Sequence, residues 1–403
     1  MGNGAEGPAI IYGMRSVVTA SRLWDGKRLV DEPVVLIEDG RIERIGSRAG
    51  SEIPAGARVE DFRGATLGPA FLDVHTHGAA GHDVMEATPE ALHAIGRFQA
   101  MHGTGAYLAT TVTAPLDATL RSLEGLAKLL AQGPGDGEAR PLGIHLEGPF
   151  LSHVKRGAHP PAYLLEPDIA TFDRLFEAAD GLVRLMTMAP ELPGAVELAA
   201  HATGRGVRVS VGHSNATAAE TRAVIAAGAV SATHTFNAMR TLDHHELGIL
   251  GTALTDDGLF AELICDGIHT AQEMVKLWWR AKGAERAMLI TDAMSATGMP
   301  DGQYLLGGQT VQLAHGKVTL PGDVLAGSVL TMDRAIANLM AFAGVGLEDA
   351  LRLATVNPAA MTGLMDGAGS LRVGGVANLV AMDGRGGLVA SFVGGHLRGG
   401  QLP

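Results

Sequence analysis

The chain has a single cysteine in 403 residues, Cys265. No intrachain disulfide can form, and no cysteine-ligated zinc site can be built. Positive charge is scarce too: 31 Lys and Arg stand against 43 Asp and Glu, a formal net charge of −12 at pH 7. That balance argues against nucleic acid as the main partner, although a small anion can still find a locally positive site. No run of about 18 apolar residues occurs, so no membrane span is expected. The opening Met1-Gly2-Asn3-Gly4-Ala5-Glu6-Gly7-Pro8 has no basic region followed by an apolar one, so no signal peptide is expected. What remains, 46% hydrophobic and 18% charged residues, describes a folded protein with a large core, expected in the cytoplasm. Residues 1–13 are expected to be a flexible start, with Met14 a second candidate for the initiator.

The two ends of the chain share a texture. Val17-Val18-Thr19-Ala20, Val34-Val35-Leu36-Ile37 and Arg41-Ile42-Glu43-Arg44-Ile45 are β-rich runs, and Asp39-Gly40 between the last two is a hairpin signal. The tail repeats this at Leu379-Val380-Ala381-Met382 and Leu388-Val389-Ala390-Ser391-Phe392-Val393. Neither end can build a sheet core alone, so 14–68 and 361–403 are expected to form one small β-sandwich together. Between them, over 69–360, apolar strands alternate with helical stretches such as 89–102, 191–204 and 271–283. Eight strand-like runs begin at Phe71, Tyr107, Leu142, Val183, Val207, Ala232, Glu262 and Met288. The expected fold is α/β, a (β/α)8 TIM barrel with the β-sandwich beside it. A doubly wound sheet fits less well, because no Gly-rich dinucleotide fingerprint follows the first strand.

Chemistry in such a barrel sits at the C-terminal ends of the strands. The first run ends in Asp73-Val74-His75-Thr76-His77-Gly78, and histidines at i and i+2 of a strand leave the backbone on one face. Later runs end in Glu147, His213, His234 and Asp292. Each alone has a bland explanation in turn capping or packing. Six ionisable groups at the ends of strands 1, 3, 5, 6 and 8 do not, since buried ionisable groups cost several kcal/mol unless paired or metal-bound. The joint expectation is a divalent-metal hydrolase.

The chain resembles the N-acetylglucosamine-6-phosphate deacetylases of the amidohydrolase superfamily. The stretches that carry the resemblance run in order: Val74-His75-Thr76-His77-Gly78, His145-Leu146-Glu147-Gly148-Pro149-Phe150, Lys155-Arg156-Gly157-Ala158-His159 and Gly212-His213-Ser214-Asn215-Ala216. Thr233-His234-Thr235-Phe236-Asn237-Ala238-Met239, Asp266-Gly267-Ile268-His269, Thr291-Asp292-Ala293-Met294 and Leu325-Ala326-Gly327-Ser328 follow. The resemblance implies that Glu147, His213 and His234 hold the principal metal. His75 and His77 stand where many members carry a second ion bridged by Glu147, so one or two ions per chain are open. Zinc comes first, with iron, manganese or cobalt as alternatives. The resemblance further implies that Asp292 transfers protons, that His159 contacts the substrate carbonyl, and that Asn237, Ala238 and His269 contact a sugar phosphate. A small amino-sugar phosphate substrate and a homodimer are implied in the same way; neither nucleic acid nor membrane is expected as a partner.

The residue types suit deacetylation of N-acetyl-D-glucosamine 6-phosphate. An amide resists water, and a bound divalent cation lowers the pKa of its water from 15.7 toward ~7. A carboxylate can take the water proton and hand it to the departing amine. One departure bears on the substrate. After Asn237-Ala238-Met239 the family runs on to Arg-Glu-Pro-Gly, whose arginine reaches the phosphate, often across a dimer interface. This chain reads His244-His245-Glu246-Leu247-Gly248, with His245 in the arginine's place. The alternative substrate is therefore an unphosphorylated N-acetyl amino sugar or another N-acyl amine. Cyclic-amide hydrolases of the same superfamily usually bridge two metals with a modified lysine on strand 4, and the run from Val183 to Met188 has none.

Overall fold

A computed structural model describes residues 15–365 and 367–399. The expectations for 1–13 and for Met14 lie outside the described residues. The two ends of the chain build one eight-stranded sheet. Arg15–Trp24 pairs in parallel with Arg58–Pro69 and antiparallel with Pro33–Glu38, while Leu379–Met382 pairs antiparallel with Arg58–Pro69. The Asp39-Gly40 turn joins Pro33–Glu38 to Arg41–Ser47, both turn residues at positive φ (50° and 73°) as such a hairpin needs. The sheet curls until its terminal hairpins meet. A side chain at Gly40 would strike the carbonyl of Gly394 at 2.7 Å, so only glycine fits there. Between the curled layers lies an apolar core that includes Val18, Leu23, Ile37, Phe62, Leu379 and Phe392. The expected sandwich is thus one continuous sheet folded over itself.

The barrel has eight parallel strands: Phe71–Thr76, Thr104–Thr111, Arg140–Glu147, Val183–Met188, Arg208–Val211, Ala229–Ala232, Phe260–Ile264 and Ala287–Ile290. The last returns to the first at its C-terminal end, where Asp292 N–H donates to the His75 carbonyl (2.9 Å) and His77 N–H to the Ala293 carbonyl (2.7 Å). Strands buried on both faces explain the near-continuous apolar runs. The helices are placed by ordinary local signals. Thr88 caps Pro89–Met101, and Thr217 and Glu220 form a capping box at the start of Ala218–Ala226.

Two features differ from expectation. The strand expected from Ala232 to Phe236 runs instead from Ala229 to Ala232, and the fifth and eighth strands likewise end, at Val211 and Ile290, before His213 and Asp292. Those residues leave the ladder because their backbones turn. An unforeseen four-stranded antiparallel sheet, spanning Gly302–Leu325, follows the eighth strand and covers the barrel mouth. None of the helices among the described residues is long and apolar enough to cross a membrane.

Candidate active site

Glu147, the last residue of the third strand, collects the other groups. Its Oε1 lies 3.3 Å from His75 Nε2, 3.2 Å from His213 Nε2 and 3.0 Å from His234 Nε2. Its Oε2 lies 3.2 Å from His77 Nε2 and 3.4 Å from His159 Nε2. Asp292 Oδ1 stands 3.2 Å from His77 Nε2 and 3.6 Å from His75 Nε2. All seven residues are buried. The structure therefore brings together the whole set His75, His77, Glu147, His159, His213, His234 and Asp292.

Backbone geometry aims several of them. His213, His234 and Asp292 all have left-handed φ values (46°, 28° and 51°), uncommon for residues other than glycine. Main-chain hydrogen bonds hold the turns: Ser152 N–H to the His213 carbonyl (3.0 Å), Asn237 N–H to that of His234 (2.9 Å) and Ser328 N–H to that of Asp292 (2.7 Å). Strained backbone of this kind clusters at functional sites. Gly157, also at positive φ, lets its loop pass the ring of His213; a side chain there would sit 3.1 Å from the imidazole.

Hydrogen bonds outside the cluster set the tautomers. His213 Nδ1 is 3.0 Å from the Lys155 carbonyl and His77 Nδ1 is 3.0 Å from the Thr110 carbonyl. A carbonyl only accepts, so both rings carry a proton on Nδ1 and point Nε2 at Glu147. His159 is the reverse case. Its Nδ1 meets Thr113 twice, 3.3 Å from the N–H, which can only donate, and 2.8 Å from the hydroxyl, which can donate as well; this environment favours a proton on Nε2 and a ring that donates into the site.

The electrostatics are those of a cluster waiting for positive charge. Burial alone would lower the pKa of His77, but hydrogen bonds to Asp292 and Glu147 raise it to about 9. His75 is likewise lifted well above its ordinary value: burial opposes this, and the charges of Glu147 and Asp292 outweigh it. Burial would raise both carboxyls, yet the charge of His75 and hydrogen bonds from the imidazoles hold Glu147 well below the carboxylate range and Asp292 at about 2. His213 is pushed down to about 4 by burial and then by the charge of His159, while His234 moves up, its hydrogen bond to Glu147 overcoming burial. The two rings face the same oxygen with their Nε2 atoms 3.0 Å apart.

A cavity of about 400 Å³ opens above these groups. Lys155, Asn237, Ala238 and His269 line its wall; Leu306, Val324 and Leu325 of the covering sheet form its roof. Asp266 Oδ2 accepts from His269 Nδ1 at 2.6 Å, which orients that ring. His245 is not brought to this cavity. It is exposed, stacked on His244 at a centroid distance of 3.9 Å. A second cavity of about 410 Å³ lies between the other end of the barrel and the terminal sheet and contains none of the clustered residues. Sequence reasoning missed Glu262, Thr113 and the Lys155 carbonyl, and the alternating stretches punctuated by Gly307-Gly308 and His315-Gly316 were the available signal for the roof.

Among the described residues, two groups offer ligand atoms within 4.8 Å of one another: His75, His77 and Glu147, and Glu147, His159 and His213. His234 Nε2 lies beside the second group, 3.0 Å from both Glu147 Oε1 and His213 Nε2. The model of the amidohydrolase family matches residues 66–398. The chain is 39% identical over 371 residues to an N-acetylgalactosamine-6-phosphate deacetylase of Escherichia coli O157:H7 (92% of this chain, 96% of that protein). It is 36% identical over 383 residues to an N-acetylglucosamine-6-phosphate deacetylase of Vibrio furnissii (94% of each). Among solved structures, a point mutant of N-acetyl-D-glucosamine-6-phosphate deacetylase from Mycobacterium smegmatis, in complex with N-acetyl-D-glucosamine-6-phosphate, superposes with a TM-score of 0.88 at 36% identity, covering 96% of this chain and 100% of that one. Barrel, strand-end cluster and matched residues coincide, and the chain belongs to the amidohydrolase family.

Proposed function

We propose that this protein is a metal-dependent deacetylase of N-acetyl amino-sugar 6-phosphates, with N-acetyl-D-glucosamine 6-phosphate as substrate and acetate and D-glucosamine 6-phosphate as products. The observation that carries the reading is the convergence of His75, His213 and His234 on a single oxygen of Glu147. Imidazole lone pairs 3.0 Å apart repel each other unless a proton or a cation lies among them, and His75 Nε2 has no hydrogen-bond partner among the described residues. Nitrogen and carboxylate donors so arranged fit a divalent ion, zinc first. Glu147, His213 and His234 would hold the principal ion, and His75 and His77 a second, with Glu147 between them. A bound ion would supply Lewis acidity toward the amide carbonyl and strengthen water as a nucleophile.

The remaining steps belong to the chain's own side chains. Asp292, a carboxylate at neutral pH, accepts the proton of the attacking water and returns it to the amine, which must not leave as an anion. His159, with its proton on Nε2, donates to the oxygen on which negative charge develops. Asn237, Ala238, His269 and Lys155 line the wall where the sugar phosphate would lie, and the Gly302–Leu325 sheet limits water above it.

If protons occupy the place of the ions, metal and protons compete. His77, raised to about 9, is protonated at neutral pH and must release its proton to bind an ion, so apparent affinity should rise as pH climbs from 6 to 9. The stability that this raised pKa gives the metal-free protein is fully present below about pH 6.5 and is lost as pH rises through 9. Isothermal titration in buffers of different ionisation enthalpy would count the released protons. Metal content should approach two ions per chain and fall toward one in a His75→Ala, His77→Ala double variant. Two ions retained in that variant would make these histidines structural.

His245 favours weighing a second substrate. In one chain it lies away from its own cavity, so it can serve a phosphate only at a neighbouring copy's site, as in a homodimer. An arginine grips phosphate with two parallel charge-assisted bonds that an imidazole cannot match, a difference of roughly 1.5–3 kcal/mol or ten- to a hundredfold. The test is kcat/KM for N-acetylglucosamine and N-acetylgalactosamine, each with and without the 6-phosphate, from pH 6 to 8. The expected result is a 6-phosphate preference that weakens as pH rises and is strengthened by His245→Arg. Preference for the unphosphorylated sugar, unchanged by the arginine, would favour the simple N-acetyl sugar instead.

A further inference from the structure

Below the cluster, on the seventh strand, stands a carboxylate that the reaction does not use. Glu262 is completely buried, with 0% exposure, inside the barrel. Among the described residues no arginine or lysine pairs with it. Its Oε2 lies 3.5 Å from His75 Nδ1 and accepts the main-chain N–H of His234 at 3.3 Å, while its Oε1 has no hydrogen-bond partner among the described residues. One side chain thus touches two histidines from opposite sides of the site, one through its ring and the other through its backbone. The His234 contact falls at the residue whose φ of 28° is the tightest of the three turned strand ends.

A fully buried carboxylate with one oxygen unpaired carries a desolvation cost that only its contacts can offset. Packing does not explain its presence. Its contacts do: an acceptor on Nδ1 fixes the proton there, turns Nε2 toward the ion and makes the ring a stronger donor to it. Thr110 and Lys155 do this for His77 and His213 with neutral carbonyls, whereas His75 alone has a carboxylate behind it. We infer that Glu262 is a positioning residue that strengthens metal binding through His75 and holds the main-chain turn at His234, with no contact to substrate. The inference rests on the proposal that these histidines are metal ligands.

Two variants test it, Glu262→Gln and Glu262→Met, each measured without substrate. Zinc affinity from competition with a chromophoric chelator should fall about 10–100-fold for the weaker-bound ion. The metal-loaded variants should recover kcat, with KM unchanged, once excess zinc is supplied. Unchanged zinc affinity in both variants would overturn the inference, and so would a kcat that excess zinc does not restore. Wild-type protein that binds no zinc at all would instead overturn the metal-centre reading itself.

Discussion

Asp292→Asn should lower kcat by about 10²–10⁴-fold, the usual worth of a positioned general acid-base group, while divalent metal stays bound. The substitution is close to isosteric, and asparagine tolerates the left-handed backbone (φ 51°) that this position requires. Both main-chain bonds, from Asp292 N–H to the His75 carbonyl and from Ser328 N–H to the Asp292 carbonyl, are untouched. What is lost is the ability to take and return a proton, together with the negative charge beside His75 and His77. The check is kcat at saturating substrate together with metal content by mass spectrometry. Turnover near that of wild type would remove Asp292 from the proton transfer, and loss of metal in parallel with activity would move it among the ligands.

Glu147→Gln should abolish activity and metal binding together. Five imidazole nitrogens lie within 3.4 Å of this carboxylate's two oxygens, and a glutamine keeps one acceptor and no charge. Without the carboxylate, Asp292 is left to support the charge on His77, and Asp292 and Glu262 that on His75, so the buried cluster is left with uncompensated positive charge. Breaking a buried pair in this way costs about 3–5 kcal/mol, so the variant should also melt earlier. An inactive variant with full metal occupancy would assign Glu147 a role other than ligand.

The barrel was legible because strands buried on both faces are written as continuous apolar runs, and the proposed ligands interrupt those runs at their ends. His75 and His77 could be read as a pair from strand periodicity, and Glu147, His213, His234 and Asp292 from position alone. Conformation was not legible. Nothing in the local pattern says that His213, His234 and Asp292 turn into left-handed backbone, and it is this turn that ends the strands early and brings their side chains inward. Nor can a sequence show that Thr113 donates to His159, the bond that separates a hydrogen-bond donor from a ligand. Glu262 was read as the polar first residue of an apolar run, because a lone acid beside Leu263-Ile264 resembles a strand edge. The folded-over sheet depends on Leu67 opposite Ala381, a pairing across more than three hundred residues that no local signal encodes.

Acetate release is the most direct test of metal-dependent deacetylation. Purified protein would be stripped with a chelator, then assayed on N-acetyl-D-glucosamine 6-phosphate before and after zinc, manganese, cobalt or ferrous ion is restored. The expected result is no acetate from the stripped protein and stoichiometric acetate and D-glucosamine 6-phosphate once an ion is returned. Full activity in the stripped protein, or none with any ion on any N-acetyl sugar phosphate, would contradict it.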